Sequence, residues 1–259
     1  MAAKPDLAVR ANRWVLNLSR HYLRWVLLLI GIYVGLPFLA PTLMHFGLTL
    51  PANVIYTAYS PLCHQFAFRS WFLFGEQPAY PRTQANVPGL KPLEAYQSEV
   101  SAAYGHSVDL SQWSVDTELA ARNFLGTPRM GYKVALCERD IAIYGALFTC
   151  GVIYAIPYVR RRLRGVPLWL YAFLGLGPIG LDGFSQLLGY PPFSLWPARE
   201  TTPFFRTLTG ITFGLMNAWL AFPYLEASAR DTVKAIEEKF ARREERIAAL
   251  ARQDNVSSD

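Results

Sequence analysis

The sequence predicts an all-α, polytopic membrane protein with four transmembrane helices, an outer re-entrant or interfacial helical hairpin and a cytoplasmic C-terminal helix. Three observations predict it. First, 52% of the 259 residues are hydrophobic and only 17% are charged, whereas charged residues make up about a quarter of an ordinary soluble domain. Second, four long stretches are almost free of charge. Third, basic residues cluster beside those stretches.

Each of the four stretches reaches the roughly twenty residues that a helix needs to cross a bilayer. They run from about Trp25 to Gly47, from Ile141 to Val159, from Val166 to Leu188 and from Phe204 to Leu225. We expect helices because a lone segment in lipid must satisfy its backbone hydrogen bonds internally. The first stretch is too long for the apolar part of a cleaved signal peptide, so we expect it to stay.

Lysine and arginine near the ends of the spans set the orientation. Five basic residues precede the first span, namely Lys4, Arg10, Arg13, Arg20 and Arg24, and a dense basic turn, Arg160–Arg164, joins the second and third. Four spans place this turn and both termini in the cytoplasm. The net charge of +6 therefore indicates contact with anionic membrane lipid and not with nucleic acid.

The segment Ala52–Gly75 is long enough to be a fifth span, but it carries His64, Gln65 and Arg69 in its middle. A fifth span at this place would also put the basic turn on the outer side of the membrane, against the preference of Lys and Arg for cytoplasmic loops. Its tyrosines and phenylalanines suit the membrane interface, so the sequence predicts a helical hairpin or re-entrant segment there.

Three domains follow. Residues 1–24 form a cytoplasmic amphipathic segment, residues 25–225 the transmembrane domain, and residues 226–259 a charged cytoplasmic helix and tail. Residues 76–129 form a polar, proline-rich extracytoplasmic loop insertion with one helix expected near Ser111–Phe124. A loop of this length is functional, disordered or a partner-binding insertion. The C-terminal helix carries an apolar stripe through Val233, Ile236 and Phe240, which either binds a protein partner or belongs to a solvated helix.

Polar residues that lipid would reject lie at four distant places: the outer hairpin, the outer start of the second span, the outer end of the third and the outer start of the fourth. Asp182 lies roughly 24 Å above Val166 along a helix, so it belongs near the outer boundary with the others. Ionisable groups at this depth pair with one another and mark function by default. We expect pairs of Asp140 or Asp182 with Arg69, Arg139 or Arg206, either in a functional site or in a structural network that locks the helices.

Two cysteines at this boundary leave three alternatives open. Cys63 and Cys137 form a disulfide in an oxidising compartment, or act as metal or redox groups together with His64 and Asp140, or are plain thiols. The mixed sulfur, nitrogen and oxygen set suits a divalent metal such as zinc. Six further residues are expected to surround and orient these groups: Gln65, Arg69, Arg139, Asp182, Gln186 and Arg206. No paired C-x-x-C motif is present to decide between the alternatives.

Several separated motifs resemble an uncharacterised family of bacterial integral membrane proteins, domain of unknown function 2085. They are Cys63-His-Gln65, Arg69-Ser70, Phe74-Gly75, Cys137-x-Arg139, Asp182-Gly-x-x-Gln186 and Arg206-x-x-Thr-Gly210, which extend the resemblance from about Pro61 to Gly214. Many members have Cys-x-Arg-Cys where this chain has Cys137-Glu-Arg-Asp140, so a carboxylate replaces a thiol. The insertion at 76–129 also separates motifs that lie close together in shorter relatives. The resemblance implies the inner membrane of a bacterial cell and no established activity.

Two hypotheses about function remain. One is a metal- or thiol-based site at the outer membrane face that handles a redox step, a metal or a small lipid-soluble substrate. The other is a non-catalytic accessory or structural subunit, in which the polar cluster locks the helices while the loop 76–129 or the C-terminal helix binds a protein partner. The sequence does not decide whether the protein is an enzyme.

Overall fold

The computed structural model describes residues 7–256 and is mostly helical with one small antiparallel sheet. The first six and last three residues of the predicted terminal segments lie outside the described residues. The helices are α1 (Leu7–Arg20), α2 (Tyr22–His45), α3 (Thr49–Tyr59), α4 (Gln97–Tyr104), α5 (Val115–Asn123), α6 (Glu138–Tyr154), α7 (Pro157–Arg162), α8 (Leu168–Leu170), α9 (Gly177–Leu187) and α10 (Pro203–Val256). The strands are β1 (Ser70–Leu73), β2 (Gly126–Thr127) and β3 (Gly131–Cys137). The prediction of an all-α fold is therefore wrong in one respect, the sheet.

Among the described helices, α2 alone is long and apolar enough to cross a membrane, judged by length and composition. The other three predicted spans form helices that are shorter, interrupted or more polar. Helix α6 has 17 residues and ends before Pro157, which cannot continue a helix with its missing N–H. A π-helical segment, Tyr171–Leu176, joins α8 to α9, and the apolar half of α10 carries Arg206.

The segment Ala52–Gly75 is not a helical hairpin, so that part of the prediction is wrong, whereas the re-entrant alternative stays a prediction. Its first arm is the end of α3, but its second arm is the strand β1, which pairs with β3 about sixty residues further along the chain. A four-residue strand of this kind is stabilised by its distant partner. It is too short to show a clear alternation of apolar and polar residues in the sequence. The loop between the two arms carries Cys63, His64 and Gln65.

The sheet has the strand order β1–β3–β2, with both pairs antiparallel. Ser70 is paired with Cys137 and Phe72 with Lys133. At the other end of β1 the backbones approach so closely that a Cβ atom on Gly75 would overlap the Met130 carbonyl group. Glycine at this position therefore permits the register that brings Arg69 next to the start of α6.

Residues 76–129, called the cap below, pack with the preceding segment around one apolar core. Helix α5 lies inside the expected Ser111–Phe124 range, and its first turn is capped by Ser114, whose Oγ accepts the Thr117 N–H at 3.1 Å. Helix α4 was not expected. The core of the cap joins side chains of the preceding segment to aromatic and aliphatic residues of the cap: Phe66, Phe68, Phe72, Tyr80, Leu93, Tyr96, Val100, Val108, Leu110 and Phe124. The cap is thereby attached to the loop and strand that carry the candidate site.

Helices α6 and α10 pack along two glycines of α10, Gly210 and Gly214. A Cβ atom on Gly214 would overlap the Ile143 carbonyl oxygen, and one on Gly210 would lie 2.8 Å from Ala142 Cβ. Small residues four apart permit this close helix approach. It brings the start of α10, with Arg206, beside the start of α6.

The opposite end of the bundle is joined by Glu226 of α10. Its carboxylate accepts hydrogen bonds from Tyr22 Oη at 2.8 Å, Arg160 Nε at 2.7 Å and Arg230 Nε at 2.8 Å. The start of α2, the basic turn and the middle of α10 therefore meet at one end of the molecule, away from the cap. Helix α1 lies along α10 beyond this point, where Arg20 pairs with Glu237 and Ile236 is buried.

Candidate functional site

Nine of the ten residues singled out by the sequence line one cleft of about 260 Å³. They come from the loop after α3, the start of α6, the end of α9 and the start of α10: Cys63, His64, Gln65, Arg69, Cys137, Arg139, Asp140, Gln186 and Arg206. The tenth, Asp182, is in contact with Arg139 and Gln186 of this lining. The structure therefore brings together the four places that the sequence predicted to converge.

Two cysteines and one carboxylate of the cleft lining lie close together. The sulfur atoms of Cys63 and Cys137 and a carboxylate oxygen of Asp140 all lie within 4.8 Å of one another. Cys137 precedes α6, where its thiol donates to Asp140 Oδ2 at 3.1 Å and its sulfur accepts the Asp140 N–H at 3.4 Å. Both cysteines are free thiols in the structure. Asp140, the last residue of the motif Cys137-Glu-Arg-Asp140, is thus part of the same group.

The two thiols differ in acidity because they lie beside one another. The neighbouring Cys137 lowers the pKa of Cys63, whereas the neighbouring Cys63 and burial raise the pKa of Cys137. The N–H of Gln65 also donates to the Cys63 sulfur at 3.4 Å, which favours the thiolate. Cys63 is therefore the thiol of the pair that is more easily deprotonated, the form in which a cysteine binds metal or attacks an electrophile.

His64 lines the cleft but does not belong to the group formed by Cys63, Cys137 and Asp140. Its side chain is exposed, and its ring lies against Phe66 with 5.4 Å between centroids. The three ligand atoms that lie within 4.8 Å of one another are those of Cys63, Cys137 and Asp140. The imidazole predicted as a ligand thus lies in the wall of the cleft.

Gln65 and Lys133 hold the loop that carries Cys63. Gln65 has a left-handed backbone (φ 54°) and donates from Nε2 to the carbonyls of Tyr56 at 3.0 Å and Ala135 at 2.9 Å. Lys133 is fully buried in β3 and donates from Nζ to the Gln65 carbonyl at 2.7 Å and to the Arg122 carbonyl. Burial lowers the pKa of Lys133 to about 7. Sequence reasoning missed this lysine, although a single charge within the apolar run of β3 was a visible signal.

The sequence predicts that Arg69 and Arg206 pair with Asp140 or Asp182, but neither arginine does so. Both bind Glu200 of the loop before α10: Arg69 Nη2 lies 2.6 Å from Oε1, and Arg206 contacts Oε2. Tyr190 Oη donates to the same carboxylate at 3.0 Å. Burial opposes ionisation of Glu200, but the two guanidinium groups outweigh it and hold its pKa below the ordinary value. Glu200 is the shared counter-ion that sequence reasoning missed.

One of the expected pairs does form, between Arg139 and Asp182. The Asp182 carboxylate also accepts from Thr201 Oγ1 at 2.6 Å, from Gln186 Nε2 at 3.2 Å and from Arg199 at 3.3 Å. Asp182 and Gln186 are one turn apart on α9, as predicted. Their network connects α9 to α6 and to the loop before α10.

Glu138 is a second missed acid, at the first residue of α6. It is 1% exposed, and neither carboxylate oxygen has a hydrogen-bond partner among the described residues. Arg206 Nη1 lies 3.7 Å away. Burial, opposed by this guanidinium, raises the pKa of Glu138 to about 7. The motif Cys137-Glu-Arg-Asp140 thus directs four consecutive polar residues into one region.

These features define a class, a mostly helical protein with a membrane-length apolar helix and a polar cleft where four segments meet. Residues 122–220 match the model of a family described as a predicted membrane protein (DUF2085), a family of unknown function. The match confirms the resemblance over this range. It is shorter than the expected range from Pro61 to Gly214, because it begins inside α5 and leaves the loop with Cys63 outside. No curated protein and no solved structure matches the chain.

Proposed function

We propose that Cys63, Cys137 and Asp140 bind a divalent metal such as zinc at the outer face of a bacterial inner membrane. The observation that supports this most is the approach of their three ligand atoms, within 4.8 Å of one another, in the lining of a cleft. Thiolate and carboxylate are ligand types that zinc takes in proteins. The lowered pKa of Cys63 favours the thiolate that metal binding requires.

Three protein ligands leave one position of a tetrahedral zinc site for water or substrate. Such an open position is typical of catalytic sites, whereas structural zinc sites are closed by four protein ligands. The cleft supplies the room beside the group, and Arg69, Arg139 and Gln186 line it. The proposed activity is therefore metal-assisted chemistry on a small substrate that enters this cleft.

The second candidate, a helix-locking network in an accessory or structural subunit, is favoured by part of the same region. Glu200 and Asp182 are buried and are bonded to groups from several elements. That network explains Arg69, Arg139 and Arg206 without any ligand. It does not explain why two thiols and a carboxylate meet in the open cleft beside it, so the metal site is the better proposal.

Zinc content tests the proposal. Protein purified in detergent under reducing conditions and equilibrated with zinc is expected to retain close to one zinc per chain. The variant Cys63→Ser/Cys137→Ser is expected to retain almost none, because it lacks both sulfur ligands. Cys150→Ser is the matched control, since Cys150 lies within α6 and outside the cleft, and it is expected to keep its zinc. Absence of zinc from the unmodified protein, or its retention in the double variant, would refute the proposal.

We also propose that the chain crosses the membrane four times, with both termini in the cytoplasm. Besides α2, three helical stretches present large apolar side chains outward. Examples are Val152 and Ile153 on α6 (47% and 48% exposed), Phe173 and Leu181 on the stretch from α8 to α9 (74% and 76%), and Phe204 and Phe205 on α10 (68% and 55%). Water would disfavour so much exposed apolar surface, and lipid would not.

Site-directed labelling tests this topology. In a background with the three native cysteines replaced by serine, Ser111→Cys on the cap is expected to react with a membrane-impermeant maleimide in intact cells. Arg164→Cys in the basic turn is expected to react only after lysis. Both positions are exposed in the structure, so access to the reagent differs only by the side of the membrane. Labelling of both positions in intact cells would rule out four spans with this orientation.

A further inference from the structure

A second cavity of about 390 Å³ adjoins the cleft and shares part of its wall. The shared residues are His64, Phe66, Arg69, Arg139 and Gln186. The second cavity extends beneath the cap to Trp113 and Tyr190, whose rings lie 4.3 Å apart. The two cavities therefore form one groove that runs from the thiol and carboxylate group to the contact between the cap and the loop before α10.

Arg69 and Arg139 lie in the shared wall, and each binds a carboxylate through Nη2. Arg69 binds Glu200 in this way and Arg139 binds Asp182. The Nε atom of each is buried without a hydrogen-bond partner among the described residues. A guanidinium carries five N–H donors, and the side chains of Arg69 and Arg139 are 29% and 23% exposed, so each arginine has donors beyond the one in its ion pair.

Among the charged side chains that line the groove, three are cations and two are anions, and Glu200 and Asp182 pair with the three arginines from outside the lining. The cations are Arg69, Arg139 and Arg206, and the anions are Asp140 and Glu118. Arginine's planar fork of donors matches the oxygens of a phosphate group, which accept two parallel hydrogen bonds. The lining of the second cavity is also partly apolar, with Phe66, Trp113, Leu187 and Tyr190. Leu187 is 54% exposed on the outward, apolar side of α9.

We infer that the groove binds a phosphate group between Arg69 and Arg139, beside the group formed by Cys63, Cys137 and Asp140. The inference deepens the proposed function by naming the substrate class, and it rests on that function for the role of the neighbouring metal. The phosphate belongs either to a membrane amphiphile, whose apolar part lies along Leu187 and Tyr190, or to a water-soluble phosphate compound.

Two probes test the inference on the full chain in detergent: inorganic phosphate and dioctanoyl phosphatidic acid, each titrated by calorimetry. Arg69→Lys and Arg139→Lys keep the charge and the ion pair but lose the guanidinium fork, so we expect phosphate binding about ten-fold weaker in each. Arg129→Lys is the matched control, because Arg129 lies on the cap surface with its side chain 61% exposed and outside the groove. It is expected to bind like the unmodified protein.

Tighter binding of the phosphatidic acid than of inorganic phosphate would support the inference with an amphiphile as ligand, and equal binding would support it with a soluble phosphate. Failure of the unmodified protein to bind either probe, or an equal loss in Arg129→Lys, would overturn it. Zinc content measured on the same preparations separates the two proposals. Protein that binds phosphate through Arg69 and Arg139 but retains no zinc would refute the metal site alone, and protein that retains zinc but binds no phosphate would refute this inference alone.

Discussion

Replacing Glu200 with glutamine is expected to lower the free energy of unfolding by about 3–5 kcal/mol, the usual cost of removing one partner from a buried ion pair. The side chain of Glu200 is 1% exposed, and its two oxygens bind Arg69 and Arg206 separately. The amide keeps the shape but removes the charge that both guanidinium groups share. Arg206, 3% exposed, then keeps Glu138, 3.7 Å away, as its nearest carboxylate. Unfolding of the purified variant by denaturant in detergent measures the loss.

The control for this prediction is Glu237→Gln. Glu237 pairs with Arg20 at 2.7 Å, but both side chains are about half exposed, and exposed pairs contribute no more than about 1 kcal/mol. A loss in Glu200→Gln no larger than in Glu237→Gln would mean that the buried pairs around the cleft do not hold the helices together.

The second large effect is expected from Gly214→Ala, at the closest approach of α10 to α6. The added methyl group would overlap the Ile143 carbonyl oxygen and lie 3.0 Å from Ala146 Cβ. Because the obstacle is backbone, the two helices must separate, at a cost typical of overpacking, about 1–3 kcal/mol. Separation of these helices also moves Arg206 away from the start of α6. We therefore expect a lower melting temperature in detergent together with weaker zinc retention.

Gly145→Ala, on α6 itself, makes the same chemical change where a Cβ atom would have nothing within 4 Å. There alanine is expected to be neutral or to stabilise the helix by about 0.5–1 kcal/mol. Similar melting temperatures for the two variants would contradict the close packing of α6 and α10 as the support of the site.

The sequence predicted that the site residues lie at one depth of the membrane. This was possible because residue number along a helix gives position along the helix axis. Asp182 and Gln186, four residues apart on α9, and Arg206 near the start of α10 could be placed at one level from span boundaries alone. The pair of Arg139 with Asp182 is one of the several pairs that the same reasoning allowed. Local sequence contains this information, since it depends on helical rise and not on a distant partner.

The sheet could not be predicted in the same way. Strand β1 is four residues long and its partner β3 lies beyond the whole cap, so its pairing is a non-local event. The apolar, aromatic character of Trp71, Phe72 and Leu73 fits either a short strand or a buried helix segment. Pairing with β3 decides that this segment is a strand. The same pairing also places Cys63 against Cys137.

Glu200 and the core of the cap were missed for different reasons. Glu200 lies in the proline-containing loop before α10, where no local pattern marks it as buried. Buried Arg69 and Arg206 nevertheless require an acid as partner. The cap was described by its prolines and polar residues. Its core residues, such as Tyr80, Tyr96 and Leu110, are scattered without a regular period, so no helix or strand pattern reveals them.

The measurement that tests the proposed site most directly is zinc K-edge X-ray absorption of the zinc-loaded protein. The proposed site would give zinc two sulfur neighbours at about 2.3 Å, from Cys63 and Cys137, with oxygen neighbours at about 2.0–2.2 Å from Asp140 and from the ligand in the open position. A spectrum with nitrogen and oxygen neighbours alone would contradict it, because zinc would then be bound elsewhere on the chain.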